Sequence, residues 1–479
     1  MKLIMPVKCF AIALCSGERI ETSQYISKWW TPQLAAPIIA AAVVRLALLA
    51  AALARTGISS IIFPDTPTYL EPGRNLLLHG RFVVDGLPAI FRTPGYPLFL
   101  AITSLAGLPA ASIANLILSV FSVFLVWKLS KAAFNDDSIA LCAAWIFAFE
   151  PLSVAYSVAL LSDTLFVTLL LLSVERQAVF LRERRLPVLA MAGLWLAAAT
   201  YVRPVTYYLP VALALGFLLV LSRVPGITHK QHEPVDGPLG LYWKAPAVLL
   251  ISVLPWLAVW QIRNRVETGY GGFSSVTEIN LYYFSAASVI ANVEHQGIQD
   301  VKNSLKLHLE QNKLNQGQQL AFMRSEAISV IRAHFEVYLR GCFISLSETI
   351  FNPGAGYYDK LLYPENAIHD VQLPVGQNPI LRVILFAKAY PWIFAEKIIF
   401  ETVLLGLYLV AMRGAFRINI SNVFLWFLLG ISLYFIATTA AGTPETEARY
   451  RLPIMPIVCI LAAVGIQRTK TYEYEDGSG

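Results

Sequence analysis

Between Ile62 and Gly95 the chain reads IFPDTPTYLEPGRNLLLHGRFVVDGLPAIFRTPG, a stretch that holds Asp65, Glu71 and Asp85 together with Arg74, Arg81 and Arg92. Two kinds of chemistry suit such a set. A carboxylate such as Asp65 can take or orient the proton of an attacking hydroxyl. Arginine suits a phosphate, because its planar fork gives two parallel charge-assisted hydrogen bonds and stays protonated when partly desolvated. Further arginines recur in TYVRPVTYY (Arg203), WQIRNR (Arg263, Arg265) and EARYRLP (Arg449, Arg451). Tyr69 and Tyr96 add aromatic rings with an apolar body and a polar hydroxyl. A second acid, Asp163, stands in LLSDTLF.

Each of these residues has a plainer reading. Asp65, followed by Thr66 and Pro67, makes a good helix N-cap, and a cap is compatible with a role as base. Asp163 fits an N-cap equally well. Glu150, before Pro151, serves to end a helix. Any single arginine can bind lipid headgroups or pair with a nearby acid, as Glu445 and Glu447 would do for Arg449.

The elements that must position these groups are membrane spans. Of 479 residues, 56% are hydrophobic and 14% charged, and the mean hydropathy of +0.58 exceeds what a water-soluble domain carries. A helix needs roughly 20 apolar residues to cross about 30 Å of hydrocarbon. Runs of this kind place about ten spans near 34–54, 109–130, 137–150, 160–175, 187–202, 205–222, 245–261, 392–412, 421–440 and 452–467. With the N-terminus inside, the loops carrying Lys128 and Lys131, Arg182 to Arg185, Arg223 to Lys244, Arg413 and Arg417, and Arg468 with Lys470 all fall in the cytoplasm, as the positive-inside bias requires. The net charge of +6 is therefore spread over short loops, which argues against nucleic acid as a partner.

The first loop is then outside, and its arginines break the bias; an anionic partner on that side accounts for the exception. Arg203, Arg263, Arg449 and Arg451 lie at span ends on the same side. Arg45 lies in the middle of the first span, where a lone charge is costly, so pairing inside the bundle or reaching the interface is expected of it rather than catalysis. The segment from Arg263 to about Tyr390 is also outside. Within it, residues 318–350 read as an interfacial helix, with Ile328, Ile331, Phe335, Leu339 and Phe343 at helical spacing. A further span there would invert everything downstream. The five cysteines are far apart and carry no metal spacing. The absence of a P-loop, and of any detectable repeat, counts against an ATP-driven pump.

Three stretches resemble the GT-C superfamily of membrane glycosyltransferases, in the branch of the protein O-mannosyltransferases and the lipid A aminoarabinose transferase. They are PDTPTYLEPGRNLLLHGRF with FRTPGYPLFLA, then EPLSVAYSVALLSDTLF, then ARYRLPIMPI. The resemblance implies that Asp65 is the catalytic base, that Arg92 in FRTPGYP contacts the donor phosphate, and that residues 94–106 form a second juxtamembrane helix. Asp163 falls where the family often has an acid of varying role. A sugar on polyprenyl phosphate leaves as an anion, so a general acid is unnecessary and only the acceptor hydroxyl needs a base. Direct displacement then inverts the anomeric centre.

The sequence therefore predicts an all-α membrane protein of GT-C type. Its expected divisions are a cytoplasmic leader (1–33), an N-terminal module (34–262) with its outside loop at 55–108, a large outside loop (263–390), C-terminal spans (391–470) and a disordered tail (471–479). Asp65 and Asp163 are the candidate catalytic acids. Arg92, Arg74, Arg203, Arg263, Arg449, Arg451, Tyr69 and Tyr96 are the candidate substrate and phosphate contacts. The expected partners are a polyprenyl-phosphate sugar donor, membrane lipids and an acceptor glycan, lipid or protein. The expected location is the plasma (inner) membrane with the site on its extracytoplasmic face. No cofactor is required, and a divalent cation between Asp65 and Asp163 is left open. The rival readings are a transporter or flippase of a lipid-linked sugar, which calls for broken midplane helices and repeats, and a non-catalytic scaffold.

Overall fold

The computed structural model describes residues 32–222, 238–312, 314–363, 379–442 and 447–467. The leader up to residue 31, the 223–237 part of one basic loop, the 364–378 part of the large outside loop, Glu445, and the C-terminal residues with Arg468, Lys470 and the tail lie outside the described residues.

The regular structure of the described residues is helical apart from one two-stranded hairpin, β1 (Val83–Val84) with β2 (Leu87–Pro88). Five helices are long and apolar enough to cross a membrane, or six if one bent pair counts as a span. The long ones include α1 (Pro32–Thr56), α4 (Leu108–Phe134), α7 (Asp163–Glu183), α10 (Pro238–Thr268) and α19 (Val423–Gly442). Between the first two come α2 (Thr66–His79) and α3 (Gly95–Thr103). The bent pair is α5 (Asp137–Ala148) with α6 (Pro151–Val158), which meet at 56°. Pro151 cannot donate the hydrogen bond that would continue α5, and the Glu150 carboxylate caps α6 by accepting from the amides of Leu152 and Ser153 at 3.1 and 2.6 Å.

Every expected span has a helix, but several are shorter than expected. Arg203–Pro204 separates α8 (Leu186–Val202) from α9 (Leu209–Ser222), and α20 (Met455–Ile466) is one of the shorter apolar helices. The expected span at 392–412 sits in α18 (Pro391–Arg417), which carries Glu396, Lys397, Glu401, Arg413 and Arg417.

The segment expected outside folds into α11 (Val276–Asn280), a π-helical turn (Leu281–Ala286), α12 (Ala287–Glu294), α13 (Ile298–Gln311), α14 (Gln316–Ala333), α15 (Phe335–Phe351), α16 (Ala355–Leu362) and α17 (Pro379–Ala389). The helix expected at 318–350 is therefore two, since His334 leaves helical geometry at φ −129° and ψ 47°. Ile90 of the first loop is buried in the small core of this segment with Tyr270, Tyr282, Leu309, Leu320 and Met323.

Arg45 is fully buried inside the bundle, as expected of a mid-span charge. Its Nε donates to Ser119 Oγ at 2.8 Å and its Nη1 to the Ala148 carbonyl at 2.8 Å. That carbonyl belongs to the last turn of α5, where the helix dipole presents partial negative charge.

Candidate active site

The site is built at the start of α2. Thr66 and Pro67 open the helix, and Pro at this position forfeits no hydrogen bond because the first-turn amides have no intrahelical partner. Thr66 closes the turn with its own side chain: its Oγ1 accepts from the Phe63 amide at 2.9 Å and donates to the Leu160 carbonyl at 2.9 Å. Asp65 stands at the N-cap position, yet its carboxylate makes no capping hydrogen bond. It is turned outward to two guanidiniums.

Arg92 Nη2 donates to Asp65 Oδ1 at 2.8 Å, and Arg449 Nη1 donates to Asp65 Oδ2 at 2.9 Å. The second contact joins residues 384 positions apart, so the last described quarter of the chain closes over the first loop. Arg92 is itself fixed: its Nε donates to Thr68 Oγ1 at 2.9 Å, and its guanidinium lies over Tyr69 at 4.4 Å and Phe91 at 4.5 Å. Burial would raise the pKa of Asp65, but the positive charges of Arg92 and Arg449, with a smaller contribution from Arg203, outweigh it and hold the carboxyl below its usual range.

Arg449 is shared with a second acid. Its Nε lies 2.6 Å from Glu447 Oε2, but the N–H is not aimed at it and makes no hydrogen bond. Glu447 also accepts from the Tyr357 hydroxyl at 3.2 Å. Alongside this group, the buried Asp163 pairs with Arg203, which lies in the bend between α8 and α9. Asp163 is the first residue of α7, and its carboxylate serves this ion pair. Ser162, which precedes it, contacts the Tyr69 hydroxyl at 3.3 Å. Behind Asp163, a cavity of about 20 Å³ is lined by Ser119, Ser153, Tyr156 and Thr164 among others. This is room for a single water among polar groups.

The structure thus brings together Asp65, Arg92, Arg449 and Tyr69, with Asp163 and Arg203 beside them. It does not bring the other candidates there. Arg74 is exposed on α2. Arg263 uses both Nη atoms on the Ala89 and Phe82 carbonyls, each at 2.8 Å. Arg451 is buried and donates to the carbonyls of Thr349 (3.1 Å) and Asn352 at the end of α15. Tyr96 is fully buried, with its ring edge-on to Tyr69 at 4.9 Å, so it supports Tyr69 from behind. Thr68 and Tyr357 join the site although neither was singled out. Thr68 falls one turn from Asp65 on the same helix, a spacing that could have signalled it; Tyr357, in the outside segment, carries no such cue.

A cation between Asp65 and Asp163 finds little support in this geometry. Both oxygens of Asp65 already face guanidiniums, and among the described residues no group of three or more His, Cys, Asp or Glu side chains is placed to hold a metal.

No curated protein matches the chain. Among solved structures it is similar to the archaeal oligosaccharyltransferase AglB from Archaeoglobus fulgidus, described in complex with an inhibitory peptide and a dolichol-phosphate. The identity is 12%, the TM-score is 0.46, and the likeness covers 92% of this chain and 50% of that one. The chain thus spans about half the length of that relative. Residues 93–257, about a third of the sequence, match the family described as dolichyl-phosphate-mannose-protein mannosyltransferase. The matched segment contains Asp163 and Arg203 and stops short of Asp65, Arg92 and Arg449. It is to this mannosyltransferase family that residues 93–257, from the start of α3 into α10, are similar.

Proposed function

We propose that the protein is a membrane glycosyltransferase that moves a sugar from a polyprenyl-phosphate donor to an acceptor hydroxyl on the extracytoplasmic face, with inversion. The observation that carries this reading is the Asp65 carboxylate held between Arg92 and Arg449. One base and two phosphate-compatible cations meet at one point, which is the set that a reaction with an anionic leaving group needs. The family match over residues 93–257 supports the same class of donor.

The same contacts define how the site works. With both arginines on Asp65, the carboxylate is a weak base. A donor phosphate entering between Arg92 and Arg449 draws their charge toward itself and relieves Asp65, whose basicity rises as the donor binds. Asp65 then takes the proton of the acceptor hydroxyl as that oxygen attacks the anomeric carbon. The C–O bond to the phosphate breaks on the opposite face, and the arginines stabilise the charge left on the departing phosphate. Asp163, paired with Arg203 under Tyr69, orders the floor of the site.

The test is transfer of labelled sugar from a panel of polyprenyl-phosphate donors in membranes carrying folded wild type or Asp65→Asn. Wild type transfers from one donor class, and Asp65→Asn lowers kcat by roughly 10²- to 10⁴-fold. Unchanged transfer in the folded variant removes Asp65 as the base. Movement of the donor across the bilayer without transfer replaces the enzyme by a flippase.

A further inference from the structure

Arg92 is carried on irregular backbone at a bend, outside any helix or strand, and such backbone must find partners for its polar groups elsewhere. The four carbonyls that precede it are taken one after another by the outside segment. Gln316 Nε2 donates to Pro88 O at 3.4 Å, Arg263 Nη1 to Ala89 O at 2.8 Å, the Ser275 amide to Ile90 O at 2.9 Å, and the Ser274 hydroxyl to Phe91 O at 2.7 Å. Arg263 also reaches the far side of the hairpin, where its Nη2 donates to Phe82 O at 2.8 Å. Its guanidinium lies 4.9 Å over Trp260 and 5.9 Å from the Phe82 ring. The neighbouring Asn264, fully buried, donates to the carbonyls of Gly272 and Phe273 at 2.9 and 3.1 Å, which sets the turn that presents Ser274 and Ser275. Two adjacent residues in the last turns of α10 thus hold both sides of one seam, and the seam ends at Arg92.

We infer that Arg263 is a positioning residue: with Ser274 it fixes the segment 88–91 so that the Arg92 guanidinium meets Asp65 and the donor phosphate. The inference rests on the function proposed above. A lysine at 263 offers a single ammonium where a planar fork now spans two carbonyls on the two sides of the hairpin, so it does not substitute.

The experiment is a double-mutant cycle on the full chain, read by binding of polyprenyl phosphate and by donor KM and kcat. It compares Arg263→Gln, Ser274→Ala and Arg92→Ala with the two double variants. Arg263→Gln weakens polyprenyl-phosphate binding and raises donor KM by about ten-fold to a hundred-fold, the scale of an ångström of misplacement. Ser274→Ala gives a smaller effect in the same direction, and carries the test if Arg263→Gln does not fold. In the Arg92→Ala background neither substitution weakens binding further, because the residue through which they act is gone. A merely structural role lowers the yield of folded protein in both backgrounds and leaves binding per folded molecule unchanged. Losses that multiply in the double variants overturn the inference while the enzyme reading stands. Wild type that neither binds polyprenyl phosphate nor transfers from any polyprenyl-phosphate donor overturns both.

Discussion

At the scale of the residue, the central fact is the competition for Asp65. Its folded pKa lies below the ordinary carboxylate value of about 3.9, since the cations of Arg92 and Arg449 outweigh burial. Asp65 is thus charged at neutral pH and gains a proton only as pH falls through its depressed value. The stability that its ion pairs contribute is present above the ordinary value and is lost below it. The acid limb of kcat/KM, which reports the free enzyme, therefore lies on the acid side of about 3.9 in the wild type. Replacing Arg449 by Gln removes one of the two cations and moves that limb to higher pH, while donor KM rises. A pH–rate profile of Arg449→Gln checks this, and a limb that stays in place assigns it to another group.

At the scale of the element, the geometry depends on how closely α2 and α3 approach. A Cβ built on Gly73 would stand 2.1 Å from the Pro97 carbonyl oxygen, and one on Gly95 would stand 2.6 Å from the Tyr201 carbonyl oxygen. Neither neighbour is a side chain able to swing away. Gly73→Ala must therefore push α2, which Asp65 opens, away from α3, which follows Arg92 closely in the chain. Overpacking of this kind costs about 1–3 kcal/mol. The expected outcome is a lower melting temperature together with a drop in transfer, read by thermal unfolding and the labelled-sugar assay. The elements themselves were largely legible: apolar length, Pro151 and the Arg203–Pro204 break placed helices and their ends. The break at His334 was not, because the apolar spacing runs through it and neither Pro nor Gly marks it. The fates of the arginines were also illegible. Arg203, Arg263, Arg449 and Arg451 share a residue type and a position near span ends, whereas the resemblance had singled out Arg92 in the first loop. Only the fold separates those that meet a carboxylate from those that staple backbone carbonyls.

At the scale of the whole molecule, the two ends of the bundle differ in charge and in content. The first residues of α7 and the opening turns of α4 lie at the end with the site: Asp163 pairs with Arg203 there, and Asn115 donates to the Ala159 carbonyl at 2.8 Å. The other ends of the same two helices carry Lys128, Lys131, Arg176 and Arg182, where Lys128 sits 3.2 Å from the buried Glu175. Lysine and arginine near short loops hold an end of a bundle in the cytoplasm. On our reading the end with Asp65 then faces outward, and the arginines at that end stand beside Asp65, Asp163 and Glu447. Two positions report the orientation directly. Leu87, at the hairpin near the site, is 64% exposed, and the Asp137 side chain, at the opposite end, is 69% exposed. In a cysteine-free background, Leu87→Cys is labelled by a membrane-impermeant maleimide in intact cells, whereas Asp137→Cys is labelled only after permeabilisation. The reverse pattern would put the site in the cytoplasm. The donor would then be reached from inside and the anionic partner invoked for the first loop would be unnecessary, so this labelling decides on which face a lipid-borne phosphate must arrive for Arg92 and Arg449 to meet it.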